Sequence, residues 1–157
     1  MDKAKKEIAL NKKHRGLLKI EPNIEEAKKH IEKAEHNLKA AISLQKNGFA
    51  DWSVSACFYS IYHCFLSIIT KQGYESRNQE CTISLIRVLK KDKKTDMAED
   101  IIESLDIEEN ETKQESNIIS MRENFQYGTD LSIKDEKIEK LKEICRKAIE
   151  QTKKEIY

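Results

Sequence analysis

Proline occurs once and glycine four times in 157 residues, and aromatic side chains make up only 6% of the chain. So few turn-forming residues, with Glu, Lys, Ile, Leu and Ala dominant, favour helices, and no segment shows the clear alternation of a half-buried strand. No internal repeat is present. A glycine-rich phosphate loop, a zinc-finger spacing and a nucleophile elbow are all missing, so no motif of that kind supplies a cofactor, and none is expected. The cysteines, Cys57, Cys64, Cys81 and Cys145, form no CxxC pair, and the opening "MDKAKKEIAL" lacks the apolar core of a signal peptide. Both absences point to free thiols in a reducing cytoplasm.

Charge, by contrast, is abundant. Asp, Glu, Lys and Arg account for 36% of the residues, and the net charge of +1 hides an uneven distribution. Residues 1 to 46 hold 12 basic and 7 acidic side chains, whereas residues 92 to 130 hold 4 and 12. Such a dipolar chain reads either as solvated helix faces that attract each other within one fold or as a basic surface for phosphate or an acidic partner. Against this background the stretch "WSVSACFYSIYHCFLSIIT", residues 52 to 70, carries no charge at all. It is long enough to reach across a bilayer, but its four Ser, two Tyr, one His and one Thr would contact lipid poorly. A buried helix is expected there, and with it the centre of the core.

The length suits one domain. Residues 2 to 19 suggest a short lead helix that ends before Pro22. Apolar residues from Ile24 to Ile42 at intervals of three and four predict a helix over 24 to 46, capped by Asn23 and ended by "NG" at 47 to 48. Asp51 is placed to cap the uncharged helix, which "QGY" at 72 to 74 stops. Val54, Phe58, Ile61, Tyr62, Phe65, Ile68 and Ile69 give it a broad apolar face, and its other face is polar but uncharged. Such a helix is either covered on nearly all sides, as the central member of a bundle, or gives a face to a subunit interface. A third helix, with Ser76 or Asn78 as cap, runs to about Lys91. A short one follows around Met97 to Leu105, then an acidic loop over 106 to 116. "NIISMRENFQYG" forms another helix before Gly128, and Ile138, Leu141, Ile144, Cys145, Ala148 and Ile149 stripe a long final helix.

Two clusters carry chemical potential. The first comprises Cys57, Tyr59, Tyr62, His63 and Cys64 on the uncharged helix. A metal held there by His63 and the thiols would need a fourth ligand from elsewhere, and a buried histidine bonded to a hydroxyl or carbonyl is the commoner arrangement. The second is "SMRENFQYG". Arg122 near a helix end suits bidentate neutralisation of a phosphate, with Asn124 or Tyr127 to orient it. On an ideal helix Arg122 and Tyr127 point about 140° apart, so they converge only if the helix ends between them or a second subunit supplies one. The alternative is an Arg122 that pairs with the acidic loop.

The run "IEKAEHNLKAAISLQKNGFADWSVSACFYSIYHCFLSIITKQGYESRNQECTISLI", followed by "RENFQYG" and a long last helix, resembles HEPN-domain proteins, the higher eukaryote and prokaryote nucleotide-binding superfamily. The features are a helix ending in Gly and an aromatic, a second helix with "YSIYH", a short third helix and an Arg-containing motif before the last helix. The resemblance implies an all-α antiparallel bundle of four to five core helices. The bundle would span residues 23 to 157, behind a lead segment of 1 to 22. It also implies frequent homodimerisation, and in many members a partner or antitoxin that is a minimal nucleotidyltransferase. Some members are metal-independent ribonucleases, often toxins, whose motif is an Arg followed a few residues later by a His. Here the Arg maps to Arg122 and the His position holds Tyr127. A tyrosine with a pKa near ~10 is a poor base at neutral pH, which leaves His63 as the candidate substitute. The expected function is therefore binding of a nucleotide, RNA or a protein partner by a non-catalytic HEPN protein, with Arg122, Asn124, Tyr127, Tyr59, Tyr62 and His63 as ligand-binding residues. The alternative is an active endoribonuclease toxin using Arg122 and His63.

Overall fold

The computed structural model describes residues 5–6, 9–10, 16–105 and 118–157. The expected acidic loop and most of the expected lead helix lie outside them. Helices α1 (Ile24–Lys46), α2 (Ala50–Lys71), α3 (Gln79–Lys91), α4 (Glu99–Ser104), α5 (Ile118–Tyr127) and α6 (Asp135–Ile156) make an all-α bundle, with α2 packed against α1, α3, α5 and α6. Two short strands depart from the all-helical expectation. Leu17–Lys19 (β1), assigned by the sequence pattern to the lead helix, pairs antiparallel with Tyr74–Ser76 (β2), Leu18 opposite Glu75. Three residues are too few to display a period of two, which is why the alternation was not visible.

The helix ends follow from local chemistry. Asn23 Oδ1 accepts from the Glu26 N–H at 2.9 Å, and Asn78 Oδ1 accepts from Cys81 at 2.9 Å, each satisfying an orphan donor of the first turn. Asp51 does not cap α2. The chain enters that helix at Phe49 with no side-chain cap, and Asp51 sits within the first turn, where its charge complements the helix dipole. Gly73 has φ +82, and a Cβ there would lie 2.9 Å from the Ile20 carbonyl. A left-handed turn and a close backbone approach both require glycine at this position.

Only residues 47 to 49 separate α1 from α2, so the two helices fold back on each other, and serines set how closely. Ser53, Ser60 and Ser67, spaced by seven, donate their hydroxyls to the carbonyls of Ala41, Ala34 and Ala27 at 2.8, 2.9 and 2.8 Å. All six residues are buried. Small side chains on both helices let the backbones approach, and each buried hydroxyl finds an acceptor across the contact. A neighbouring sector of α2 meets α6, where the Cys145 thiol lies 3.4 Å from the Cys57 carbonyl. α1 also meets α6, through Lys153 and Glu35 at 2.5 Å and through buried Lys142, which donates to Gln45 at 2.7 Å. At the far end Lys71 Nζ reaches the Glu155 carbonyl. The core gathers Val54, Phe58, Ile61, Phe65, Ile68 and Ile69 of α2 with Ile86, Met97, Ile101, Ile118 and Leu141 around them.

α2 is long and apolar enough to cross a membrane, but 67% of its most apolar window is buried inside the bundle. Protein neighbours account for most of its lack of charge, while Trp52 and Tyr59 stay about half exposed.

Candidate functional site

Arg122 lies on the face of α5 that packs on α2. Its guanidinium carbon stands 4.2 Å from the centre of the Phe58 ring, and its buried Nε has no hydrogen-bond partner among the described residues; the acidic loop expected to offer one lies outside them. Phe58 is fixed in turn. It stacks on Tyr62 with ring centres 5.7 Å apart and takes the edge of Tyr59 at 5.0 Å. The Tyr62 hydroxyl bonds Thr82 Oγ1 at 3.1 Å, and Thr82 reaches the Asn78 carbonyl at 2.9 Å. Burial holds the Tyr62 phenol above its ordinary range, with the Thr82 bond acting in the opposite direction. The result is a cation laid on an aromatic face and braced from behind by the start of α3.

His63 is elsewhere. It follows Phe58 by five residues, about 140° around the helix, and its Nδ1 lies 3.0 Å from Nδ1 of His30 on α1, with ring centres 5.2 Å apart. Two facing nitrogens at this distance share one proton, one donating and the other accepting. Burial first, then His30 and Lys33, lower His63 to about 4, and burial lowers His30 against the opposing charge of Glu26. Both rings are neutral at physiological pH. His63 is thus engaged with His30 on the α1 side, and within one chain it lies on a different side of α2 from the Phe58 ring that carries Arg122, so it does not meet Arg122 there as a substitute base.

The remaining motif residues also diverge. α5 runs unbroken through Tyr127, which is 81% exposed, so within one chain Arg122 and Tyr127 do not converge. Asn124 turns to a shallow cleft of about 310 Å³ beside Phe125, Ser132 and Lys137, and its carbonyl accepts from Gly128 at 2.9 Å. Gly128 follows the last residue of the helix, and a Cβ there would strike that same carbonyl, so the position requires glycine with no left-handed φ involved. Tyr59 is partly exposed beside Phe58 and Tyr62 is half-buried behind it, so of the candidate ligand-binding residues these two alone share a neighbourhood with Arg122. Phe58 itself was read as core from the sequence. That Arg122 rests on it depends on how α5 and α2 are juxtaposed, which the spacing within either helix does not specify.

Among the described residues no group of three or more His, Cys, Asp and Glu is placed to hold a metal ion. Burial pushes the Cys64 thiol up to about 12, and the contact with Cys57, then burial, raises Cys145. These are protonated packing groups, not thiolates.

The central helix of this bundle thus presents an aromatic bed to Arg122, whose buried Nε has no hydrogen-bond partner among the described residues. The sequence model of the HEPN domain matches residues 27–156. The chain belongs to the HEPN domain family. No curated protein matches the sequence.

Proposed function

We propose that this HEPN protein binds a phosphate-bearing ligand, a nucleotide or RNA, at Arg122, and that it does so without cleaving it. The supporting observation is the state of the Arg122 guanidinium: oriented by Phe58 and, among the described residues, unpartnered at its buried Nε. A buried donor without a partner carries a free-energy penalty that an incoming phosphate oxygen removes, and a planar guanidinium suits bidentate contact. The non-catalytic half of the reading is supported by Tyr127 in place of the motif His, and by His63 being turned to His30. The reading includes a homodimer, a minimal nucleotidyltransferase as protein partner, and a cytoplasmic setting in keeping with four free cysteines.

Fluorescence polarisation of a labelled single-stranded oligoribonucleotide tests it. Arg122→Ala is expected to weaken binding at least tenfold and to reduce the slope of log affinity against log salt by about one, because one phosphate contact and its released counterion are lost. Unchanged affinity in Arg122→Ala, or no binding by the wild type to RNA or nucleotides, refutes the site. Cleavage of the oligonucleotide by wild type but not by Arg122→Ala, with growth arrest on induction, would favour the ribonuclease toxin instead.

A further inference from the structure

His30 and His63 meet nitrogen to nitrogen, Nδ1 to Nδ1 at 3.0 Å, and the anion site at Arg122 makes no use of them. Each residue is half-buried where α1 meets α2. The serine contacts fix the register on either side, because Ser60 is tied to Ala34 and Ser67 to Ala27. Burial lowers both histidines, so at neutral pH each ring keeps one proton and one nitrogen lone pair. One turn before His30 on the same face of α1, Glu26 stands close enough for each of the two to shift the other's proton affinity. Glu26 is exposed, and its ion pair with Lys29 at 2.9 Å is a surface pair that costs little to exchange. Lys33, also on α1, is the nearby positive charge and acts on His63.

We propose that His30 and His63 are two ligands of a site for a divalent transition-metal ion, zinc foremost, that staples α1 to α2, with Glu26 as third ligand and water completing the shell. The spacing of the two nitrogens carries the proposal. Zinc–imidazole bonds of about 2.0–2.1 Å put two nitrogens about 3.3 Å apart at the tetrahedral angle and about 2.9 Å apart at a right angle. The observed 3.0 Å lies between these values, so the rings need shift by only ~0.3 Å to close on the ion. The proton count closes as well. The ring that donates through Nδ1 carries its proton on Nε2 instead, both Nδ1 lone pairs turn to the metal, and each imidazole stays neutral, as ligation requires. No proton has to leave the pair. Imidazole nitrogens favour zinc, copper or nickel over magnesium and calcium, which take oxygen ligands. The neighbouring Cys64 plays no part, being buried within the core and held protonated by that burial. Because an unfolded chain does not bring the two nitrogens together, the ion binds the native state and stabilises it. His63 lies about 140° around α2 from Phe58, so the staple stands apart from Arg122 and does not depend on the anion reading.

Titration calorimetry and thermal unfolding of the full chain with zinc chloride alone decide the matter, with magnesium chloride as the control. Zinc should bind stoichiometrically and raise Tm by ~3 °C or more, and magnesium should do neither. His30→Phe and His63→Phe should each weaken zinc binding by roughly tenfold or more and cancel the rise, and Glu26→Gln should weaken it less. Cys81→Ser, which removes a half-buried thiol, should change nothing. A readout on the wild type needs no variant to fold: paramagnetic cobalt(II), added below one equivalent, should broaden the imidazole proton signals of His30 and His63 before those of His14 and His36. Absence of zinc binding, undiminished binding in either histidine variant, loss of binding in Cys81→Ser, or broadening that begins at His14 or His36 overturns the site. Binding at full strength in Glu26→Gln overturns the carboxylate ligand alone.

Discussion

Lowering the pH should destabilise the fold through His63. In an unfolded chain this histidine takes up a proton as pH falls through about 6.5, whereas in the fold it stays neutral down to about 4. Between those values the unfolded state binds more protons, so stability rises with pH across the window and is lost as pH drops through it. The gap from 6.5 to about 4, at ~1.36 kcal/mol per pH unit, sets a ceiling of about 3.4 kcal/mol. Roughly 2 kcal/mol of that ceiling falls between pH 7.5 and 5. The ring is half-buried, so solvent screening reduces the expected loss over that interval to about 1 kcal/mol. His30, lowered in the same direction by burial, adds to it, because two imidazolium ions cannot share the 3.0 Å contact. Urea unfolding at pH 7.5 and 5, at one fixed protein concentration, measures the loss. His63→Phe keeps the ring, gives up the bond to His30 and should flatten the pH dependence by the His63 share. The lowered carboxyls of Glu26, Glu139 and Glu150 titrate below this interval and are common to both proteins. A variant whose stability falls with pH as steeply as that of wild type would refute the argument.

Ser60 offers a second test: Ser60→Ala loses one buried hydrogen bond to the Ala34 carbonyl and should cost about 1 kcal/mol. Ser60→Leu must push α1 from α2 and should cost ~3 kcal/mol or more in urea unfolding; equal effects would show that the helices are not held at contact distance. Thiol reactivity is the third: in the native protein at pH 8 a disulfide reagent should modify the half-buried Cys81 while Cys64, pushed up to about 12, and Cys145 stay protected. Rapid labelling of all the cysteines under native conditions would contradict the packing of α2 against α6.

Elements with solvent on one side were legible in the sequence to within a residue or two. α1 begins after Asn23 and ends at Asn47 because a cap and an Asn-Gly pair mark its limits, and α6 carries its apolar residues on a single stripe. What escaped was set by tertiary contact. Leu17 and Leu18 read as helical beside their lysines, yet the left-handed turn at Gly73 offers them a strand to pair with. Asp51 looks like a cap in the sequence, but α2 has already begun at Ala50, and the short connection from α1 decides where.

The candidate site was less legible, and α2 shows why. A charged residue in a helix marks the side that faces water, and α2 has none between its ends, so its periodicity identifies a buried helix without saying which neighbour takes which side. The structure divides it into four sectors with different chemistry. Serines at intervals of seven meet the carbonyls of α1, Cys57 and Cys64 meet α6, Phe58 and Tyr62 meet α5 and α3, and Trp52 and Tyr59 look outward, with half-buried His63 turned from that sector to His30 of α1. His63 and Phe58 therefore belong to different surfaces although the sequence places them five residues apart. One step of about 140° separates a histidine that shares a proton with His30 from the aromatic bed that carries Arg122. The anion site proposed at Arg122 rests on the Phe58 ring, so a substitution at Tyr59, which touches that ring from an exposed position, should weaken ligand binding, whereas one at Trp52, exposed about two turns before Tyr59 on the same helix, should leave it unchanged.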